Sequence, residues 1–377
     1  MGAPDVTAPA EILVVGGTGE VGGRIVAHLR ASYGGNAVIV AARHADLANS
    51  PVRAIDVDDP RSVGAALDGI STVVVCARQR EANVLHAAVS RGIAYTSIAP
   101  PWLEWPRVDA LHEEALRTGA RVVLGTGLEP GISSVLARIG RDRLGGAEAV
   151  NSALLLGLGD AYGADSMSFI LEELAQEYEV TVAGKSEVAR AFDHAVCVEF
   201  PAIGSRRAYR MPFTDQRYYV KTLGAKTAVA RLALDPPWVS ELVAALTRVG
   251  VARFAGSGRA RLRAIADRLK RRYRDRDRFA LVVEVANGER VVRSTLVGRG
   301  QAAATAAGAV AVVDALHTSA MSTPGVWLAE QVIDTEAFLA RIAQLGFVPV
   351  VEERQRSDGT ELAGAPTFQR HHETRPA

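Results

Sequence analysis

Residues 11–15 (EILVV) run directly into Gly16-Gly17-Thr18-Gly19-Glu20-Val21-Gly22, and an apolar pattern through Val21, Ile25, Val26 and Leu29 follows at once. A short apolar run ending in glycine has the signature of a buried parallel strand. The spacings that follow are those of an amphipathic helix. G-x-G-x-x-G at 17, 19 and 22 is a weak pattern on its own; between a strand and a helix, opening a βαβ unit, it stands in the context that gives it a mechanism. Gly17 is expected to make the tight turn, Gly19 to let the backbone approach a pyrophosphate, and Gly22 to let the helix pack closely on the strand. The amides and positive dipole end of that helix would then face the phosphates. The competing reading is a structural glycine turn without a ligand. The context favours a dinucleotide site made by Gly17, Thr18, Gly19, Glu20, Val21 and Gly22.

The strand–helix rhythm continues through AVIVAA, which ends at Arg43, VRAIDV before Asp58-Asp59-Pro60, STVVVCA, GIAYTSIA and RVVLGTG. Short connections between such units predict a doubly wound parallel α/β sheet, a Rossmann domain over residues 1–131. Cofactor choice in such a domain is read at the end of the second strand, where NAD enzymes carry an acid for the ribose 2′-hydroxyl. Here Arg43 stands there, behind Ala41 and Ala42. A guanidinium pairs with a 2′-phosphate in bidentate fashion, and His44 offers a second contact, so the cofactor expected is NADP. The alternative is an ordinary surface arginine, since only Lys185, Lys221, Lys226 and Lys270 interrupt an all-arginine set of 43 Lys+Arg. Asp56 and Val57 after the third strand fall where adenine lies. Cys76, Ala77 and Arg78 after the fourth flank the ribose and nicotinamide.

After Gly131 the rhythm changes to longer alternating strands: NSALLLGLG, RAYRMPF, and FALVVEVA with ERVVRSTLVG around Asn287-Gly288, a strong hairpin signal. These predict an inserted second, mixed α/β domain over 132–301. The charged run RLRAIADRLKRRYRDRDRF reads as an amphipathic helix with a solvated face. An Ala-rich helix at 302–317 opens a return segment, 302–352, expected to pack on the first domain; the polar residues 353–377 read as a loosely ordered tail.

A chain of 377 residues accommodates two such domains. A net charge of +1 gives no electrostatic reason for a nucleic-acid or acidic-membrane partner. Cys76 and Cys197 cannot staple a chain of this length and have no zinc spacing, so a reducing, cytoplasmic setting without metal is expected. No apolar run reaches the ~18 residues of a membrane span.

GGTGEVGGRIVAHL, RAIDVDDP, GTGLEPGISSVLA and the closing TPGVWLAEQVIDTEAFLARIAQLG occur in an order similar to the saccharopine reductase-like family, which includes saccharopine dehydrogenases and carboxynorspermidine synthases. The resemblance implies a split architecture, a homodimer formed through the inserted domain, and a small-molecule substrate. It also implies hydride transfer between NADPH and a carbon–nitrogen double bond formed from an amine and a carbonyl compound, or the reverse. Where the family loop carries Asp, this chain has Glu129.

No residue stands out as an obvious catalytic acid, and no Tyr is followed four positions later by Lys, which argues against ketone chemistry of the short-chain dehydrogenase type. The catalytic candidates are Glu129, beside Leu128 and Pro130 at the sheet's carboxyl edge, and Asp160 with Tyr162 in a strand-end loop of the second domain. Glu129 reads either as a group orienting a substrate amine or as a helix-start carboxylate. Tyr95 and Thr96 read as substrate contacts or strand-end packing, Trp102 and Trp105 as an apolar wall or a buried anchor. Arg206, Arg207 and Arg210 are candidates for gripping a carboxylate; Lys221 and Lys226 read as surface residues, and His194 as packed or exposed without a role. Two other functions stay open: a non-catalytic NADP-binding regulator, and a reductase of carbon–carbon double bonds.

Overall fold

The computed structural model describes residues 11–43, 52–79, 81–98, 105–160, 177–249, 268–269, 271–317 and 321–356. His44, Trp102, Tyr162 and residues 261–267 and 270 of the charged run lie outside them.

Six strands of the first domain are β1 (Glu11–Val15), β2 (Val38–Ala42), β3 (Val52–Ala54), β4 (Ile70–Val75), β5 (Ala94–Ser97) and β6 (Arg121–Leu124). A seventh, β15 (Gly325–Leu328), comes from far along the chain, giving the order β15-β6-β5-β4-β1-β2-β3. Every pairing in this sheet is parallel. Strands buried on both faces need continuous apolar runs, and Ile12, Leu13 and Val14 are 0% exposed. The strand order reverses between β1 and β4, which opens a crevice at their carboxyl ends, the place where such sheets hold ligands.

The second sheet is mixed. Its strands are β7 (Ala149–Gly157), β8 (Glu177–Val182), β9 (Lys185–Arg190), β10 (Val196–Phe200), β11 (Gly204–Arg210), β12 (Thr227–Asp235), β13 (Arg278–Asn287), β14 (Arg290–Arg299) and β16 (Val350–Gln355). The order is β10-β11-β12-β7-β13-β14-β16, with the β8–β9 hairpin attached to β12. Side chains alternate between its faces. Along β7, Val150, Leu154 and Leu156 join the core facing helix Ile132–Leu144, while Ala153 and Leu155 join a cluster with Val198 and Phe200 on the far face. The β13–β14 turn is Gly288-Glu289, one residue beyond the Asn287-Gly288 pair that signalled it.

The helix Gln301–His317 is wedged between the two sheets. Ala306, Ala309, Val310 and Val313 pack with Ile12, Val14 and Ile25 of the first domain, and Ala304, Ala307, Ala311 and Val312 pack with Ile132 and Leu154. A helix apolar all round is a buried helix. Small side chains let it come close: a Cβ on Gly308 would stand 2.7 Å from the Gly127 carbonyl oxygen and 2.8 Å from that of Thr126. The segment 302–352, expected to return to the first domain, reaches both sheets. β15 extends the parallel sheet, whereas β16 pairs with β14 and takes in residues to Gln355 that were read as tail. Val350-Val351-Glu352-Glu353-Arg354-Gln355, exposed along most of its length, suits an edge strand, so the polarity that suggested a tail marks a sheet edge.

Candidate functional site

The glycine loop lies at the β1–β4 crevice. Gly16 holds the left-handed conformation (φ 78°), so it and not Gly17 makes the turn. The Gly16 N–H donates to the Ala41 carbonyl (2.8 Å) and the Cys76 N–H to that of Val15 (2.9 Å), which brings the ends of β1, β2 and β4 together. Gly17 is required by crowding, since its Cβ would lie 3.0 Å from both the Val14 oxygen and Val40 Cγ1. A Cβ on Gly22 would lie 2.2 Å from the Gly16 oxygen, so only glycine lets the helix Glu20–Tyr33 start against the loop. Gly19 is different. Its Cβ would meet only the Gly16 oxygen, at 3.3 Å, leaving open space before it. Gly19 is also the N-cap and offers no side-chain oxygen to the first-turn amides. An open, uncapped helix start beside a glycine backbone fits a dinucleotide pyrophosphate.

Around this loop, Thr18 and Glu20 are exposed, Val21 is half-buried, and Glu20 forms an ion pair with Arg24 at 2.8 Å. Arg43 is exposed at the end of β2. Asp56 is exposed, with Oδ1 accepting the Asp58 N–H (3.0 Å), while Val57 is buried. Ala77 abuts Gly16, whose Cβ would approach its nitrogen to 3.1 Å, and Arg78 is exposed. Burial pushes the Cys76 thiol up to about 12, so it stays a neutral thiol.

The second part of the site begins where β6 ends. The Ile132 N–H returns to the Gly127 carbonyl (2.9 Å) and the Ser133 N–H to that of Leu128 (3.0 Å), closing a tight loop that presents Glu129. Gly131 permits this closure: φ is 132°, and a Cβ there would come 2.2 Å from the Gly127 oxygen. Glu129 Oε1 accepts a short hydrogen bond from Ser152 Oγ on β7, which joins the two domains at this carboxyl group. Glu129 Oε2 is sealed from solvent and has no hydrogen-bond partner. Burial, reinforced by the charge of Asp215, holds Glu129 well above the usual carboxylate range, against the opposing Ser152 hydrogen bond.

Sequence reasoning missed the groups behind it. Asp215, 1% exposed, accepts from Ser133 Oγ and from the Tyr219 hydroxyl, both at 2.8 Å. Burial raises its carboxyl also, and those two hydrogen bonds work in the other direction. Glu330, 4% exposed, accepts from Thr222 Oγ1 at 2.8 Å and is pushed up to about 7, mainly by burial. Three buried acids thus converge from the β6 loop, the helix Asp215–Thr222 and the return segment. No local motif marks Asp215 or Glu330; each is a first-turn acid of a helix, which reads as an ordinary dipole partner until the fold brings it inside.

The remaining candidates stand elsewhere in the fold. Asp160 is 2% exposed and its Oδ2 accepts the Gln301 N–H at 2.5 Å, a capping contact at the start of the wedged helix. Tyr95 is fully buried with its hydroxyl accepting from Gln79 (3.3 Å), and Thr96 bonds Thr126 (2.8 Å); both are packing. Arg206 and Arg207 pair with Asp235 (3.8 Å) and Glu241 (3.1 Å). Lys221 and Lys226 pair at the surface with Asp109 and Glu148.

The arrangement is a two-domain α/β protein: a doubly wound parallel sheet with a glycine loop at its switch point, and a second domain whose mixed sheet contributes Ser152 and whose helix Asp215–Thr222 contributes Asp215. No family model and no curated protein matches the chain. Among solved structures it is similar to a C. glutamicum DAP dehydrogenase in complex with DAP (15% identity, TM-score 0.44, 88% of this chain and 95% of that one). It is also similar to GenD2 from gentamicin A biosynthesis in complex with NAD (14% identity, TM-score 0.38, 95% of this chain and 100% of that one). Against an L-threonine dehydrogenase from Phytophthora infestans (23% identity, TM-score 0.22) the match takes in 23% of this chain and spans about a third, 35%, of that one. These are likenesses in outline, and the functional reading rests on the site.

Proposed function

We propose that this chain is an NADPH-dependent oxidoreductase acting at a carbon–nitrogen bond, reducing an imine formed from an amine and a carbonyl compound. The observation that carries the reading is Glu129: a carboxyl group that burial holds well above the usual carboxylate range, tied to Ser152 of the opposite sheet, with Oε2 shielded and without a partner. A protonated carboxylic acid in a dry site is a hydrogen-bond donor. Gly17, Gly19 and Gly22 with the helix start at Glu20 would hold the pyrophosphate, and Arg43 the 2′-phosphate. When bound, the nicotinamide supplies the hydride. Glu129 delivers its proton to the imine nitrogen as the adjacent carbon is reduced, leaving an amine and a Glu129 carboxylate that regains a proton from solvent. Ser152 fixes the orientation of Glu129, and Asp215, held by Ser133 and Tyr219, keeps the proton on it by like-charge repulsion.

The test is NADPH oxidation by the full chain across a panel of amines and carbonyl compounds, singly and in pairs. Turnover is expected only when both partners are present. Turnover with a carbonyl compound or a conjugated alkene alone would replace this reading with C=O or C=C reduction; NADPH binding with no turnover on any pair would favour the regulator.

A further inference from the structure

On the face of the mixed sheet away from Glu129, two arginines stand opposite each other on neighbouring strands. Arg210 of β11 and Arg231 of β12 are direct antiparallel partners, 9% and 2% exposed. Arg231 also pairs with Ala153 of β7, a member of the far-face cluster, whereas Ser152, the Glu129 partner, points the other way. Like charges directly opposite each other in a ladder are destabilising, and an uncompensated charge inside a protein costs more still.

The surrounding groups balance this pair only in part, through the charges of Glu284 and Asp193 acting on Arg231. Arg231 Nη1 reaches only the neutral Asn151 Oδ1 at 3.4 Å, and its Nε is sealed without a partner. Arg210 reaches the half-exposed Glu187 at 3.9 Å, and its Nε is likewise sealed and unpartnered. Glu284 is ion-paired with Arg293. Asp193 lies close by, with Oδ2 accepting the Arg190 N–H (3.0 Å). Tyr178, 5% exposed, points its hydroxyl into the same place: the charges of Arg210, Arg231, Arg217 and Asp193 all act on it, and its oxygen has no hydrogen-bond partner. Two facing guanidiniums and a phenol are thus left with unused donors around one point of a buried sheet face.

We propose that Arg210, Arg231 and the Tyr178 hydroxyl form an oxyanion site on the far face of the mixed sheet, separate from Glu129, for a small carboxylate- or phosphate-bearing ligand. Planar guanidiniums match the paired oxygens of either group, and charge-assisted hydrogen bonds of this kind are the strong ones. The bound anion separates the two cations and gives the phenol an acceptor, turning an unfavourable cross-strand pair into a balanced set. The site does not depend on the chemistry assigned to Glu129.

The experiment uses the full chain with NADPH present, so that the glycine loop does not compete for the probe. Inorganic phosphate and malonate are titrated separately by calorimetry and thermal shift, with potassium chloride at matched ionic strength as baseline. The wild-type chain should show saturable binding and a rise in Tm with at least one probe, and the tighter of the two identifies a phosphate or a carboxylate ligand. Arg231→Met should weaken that binding about tenfold or more, and Tyr178→Phe about fivefold. In anion-free buffer Arg231→Met should be no less stable than the wild type, because a buried charge without a partner has been removed. If Arg231→Met does not fold, Tyr178→Phe decides. No saturable response beyond chloride in the wild type, or wild-type affinity in the variants, would overturn the proposal.

Discussion

Replacing Glu330 by Gln should flatten the pH dependence of this protein's stability. The carboxyl group is buried beside Thr222, and burial, helped by the Asp215 charge, lifts it from an ordinary 4.5 to about 7. The Thr222 and backbone hydrogen bonds and the more distant Arg138 oppose that rise without cancelling it. The folded state therefore holds this proton more tightly than the unfolded chain. A raised folded-state value means a stability contribution that is complete below the unfolded value and is lost as pH rises through the folded one. Across that window the loss for one group is roughly 3 kcal/mol. The site is almost fully shielded, so solvent screening takes little from this figure. Glutamine keeps an acceptor for Thr222 and cannot ionise. Urea unfolding of both proteins between about pH 4 and 8 should show the wild type losing roughly 3 kcal/mol relative to Glu330→Gln. Parallel stability curves for the two proteins would refute the burial argument for this cluster.

The glycine loop gives a graded series. Gly19→Ala should leave the fold intact by circular dichroism yet weaken NADPH binding about tenfold or more, since the only neighbour of its Cβ is one carbonyl at 3.3 Å but the space beyond is where phosphate approaches. Gly22→Ala should lower both stability and NADPH affinity, because its Cβ would overlap the Gly16 oxygen at 2.2 Å; unchanged affinity in both variants would misplace the phosphates. Titrations with NADPH and NADH should favour NADPH, and Arg43→Ala should remove most of that preference, whereas equal affinities in the wild type would refute the 2′-phosphate assignment. Turnover on a competent amine–carbonyl pair should fall as pH rises through the raised Glu129 value, and Glu129→Gln should lower the rate about a hundredfold or more and lose that limb; a wild-type pH profile in Glu129→Gln would show the proton comes from elsewhere.

How far the sequence could be read follows from which interactions are local. The parallel sheet was legible because each strand buried on both faces must be apolar and each crossover must be helical, as in EILVV followed by GGTGEVGG. Glu129 was visible as a loop carboxylate at the end of β6, but its two readings could be separated only by Ser152, on a strand of the other sheet. Asp215 and Glu330 were not visible as site residues at all. Their burial comes from contacts distant in sequence, Asp215 with Ser133 and Glu330 with Thr222, which no periodicity encodes. Asp160 misled for a related reason: a carboxylate in a Gly-rich strand-end loop looks the same in sequence whether it faces a cleft or caps a distant helix. β9 was not read as a strand because KSEVAR, with one buried residue, carries little of the apolar alternation that identifies half-buried strands, whereas EYEVTV of β8 and VCVEF of β10 do alternate between buried and exposed positions.

The central claim, hydride delivery to a carbon bonded to nitrogen, is tested most directly by isotope placement. NADPH deuterated at the transferable C4 position is turned over with a competent amine–carbonyl pair, and the product is examined by NMR. The expected result is deuterium on the carbon that carries the newly reduced nitrogen, with far less of that labelled product formed when Glu129→Gln replaces the wild type in a short incubation. Deuterium on a carbinol carbon, or on a carbon of a former C=C bond, would contradict the claim.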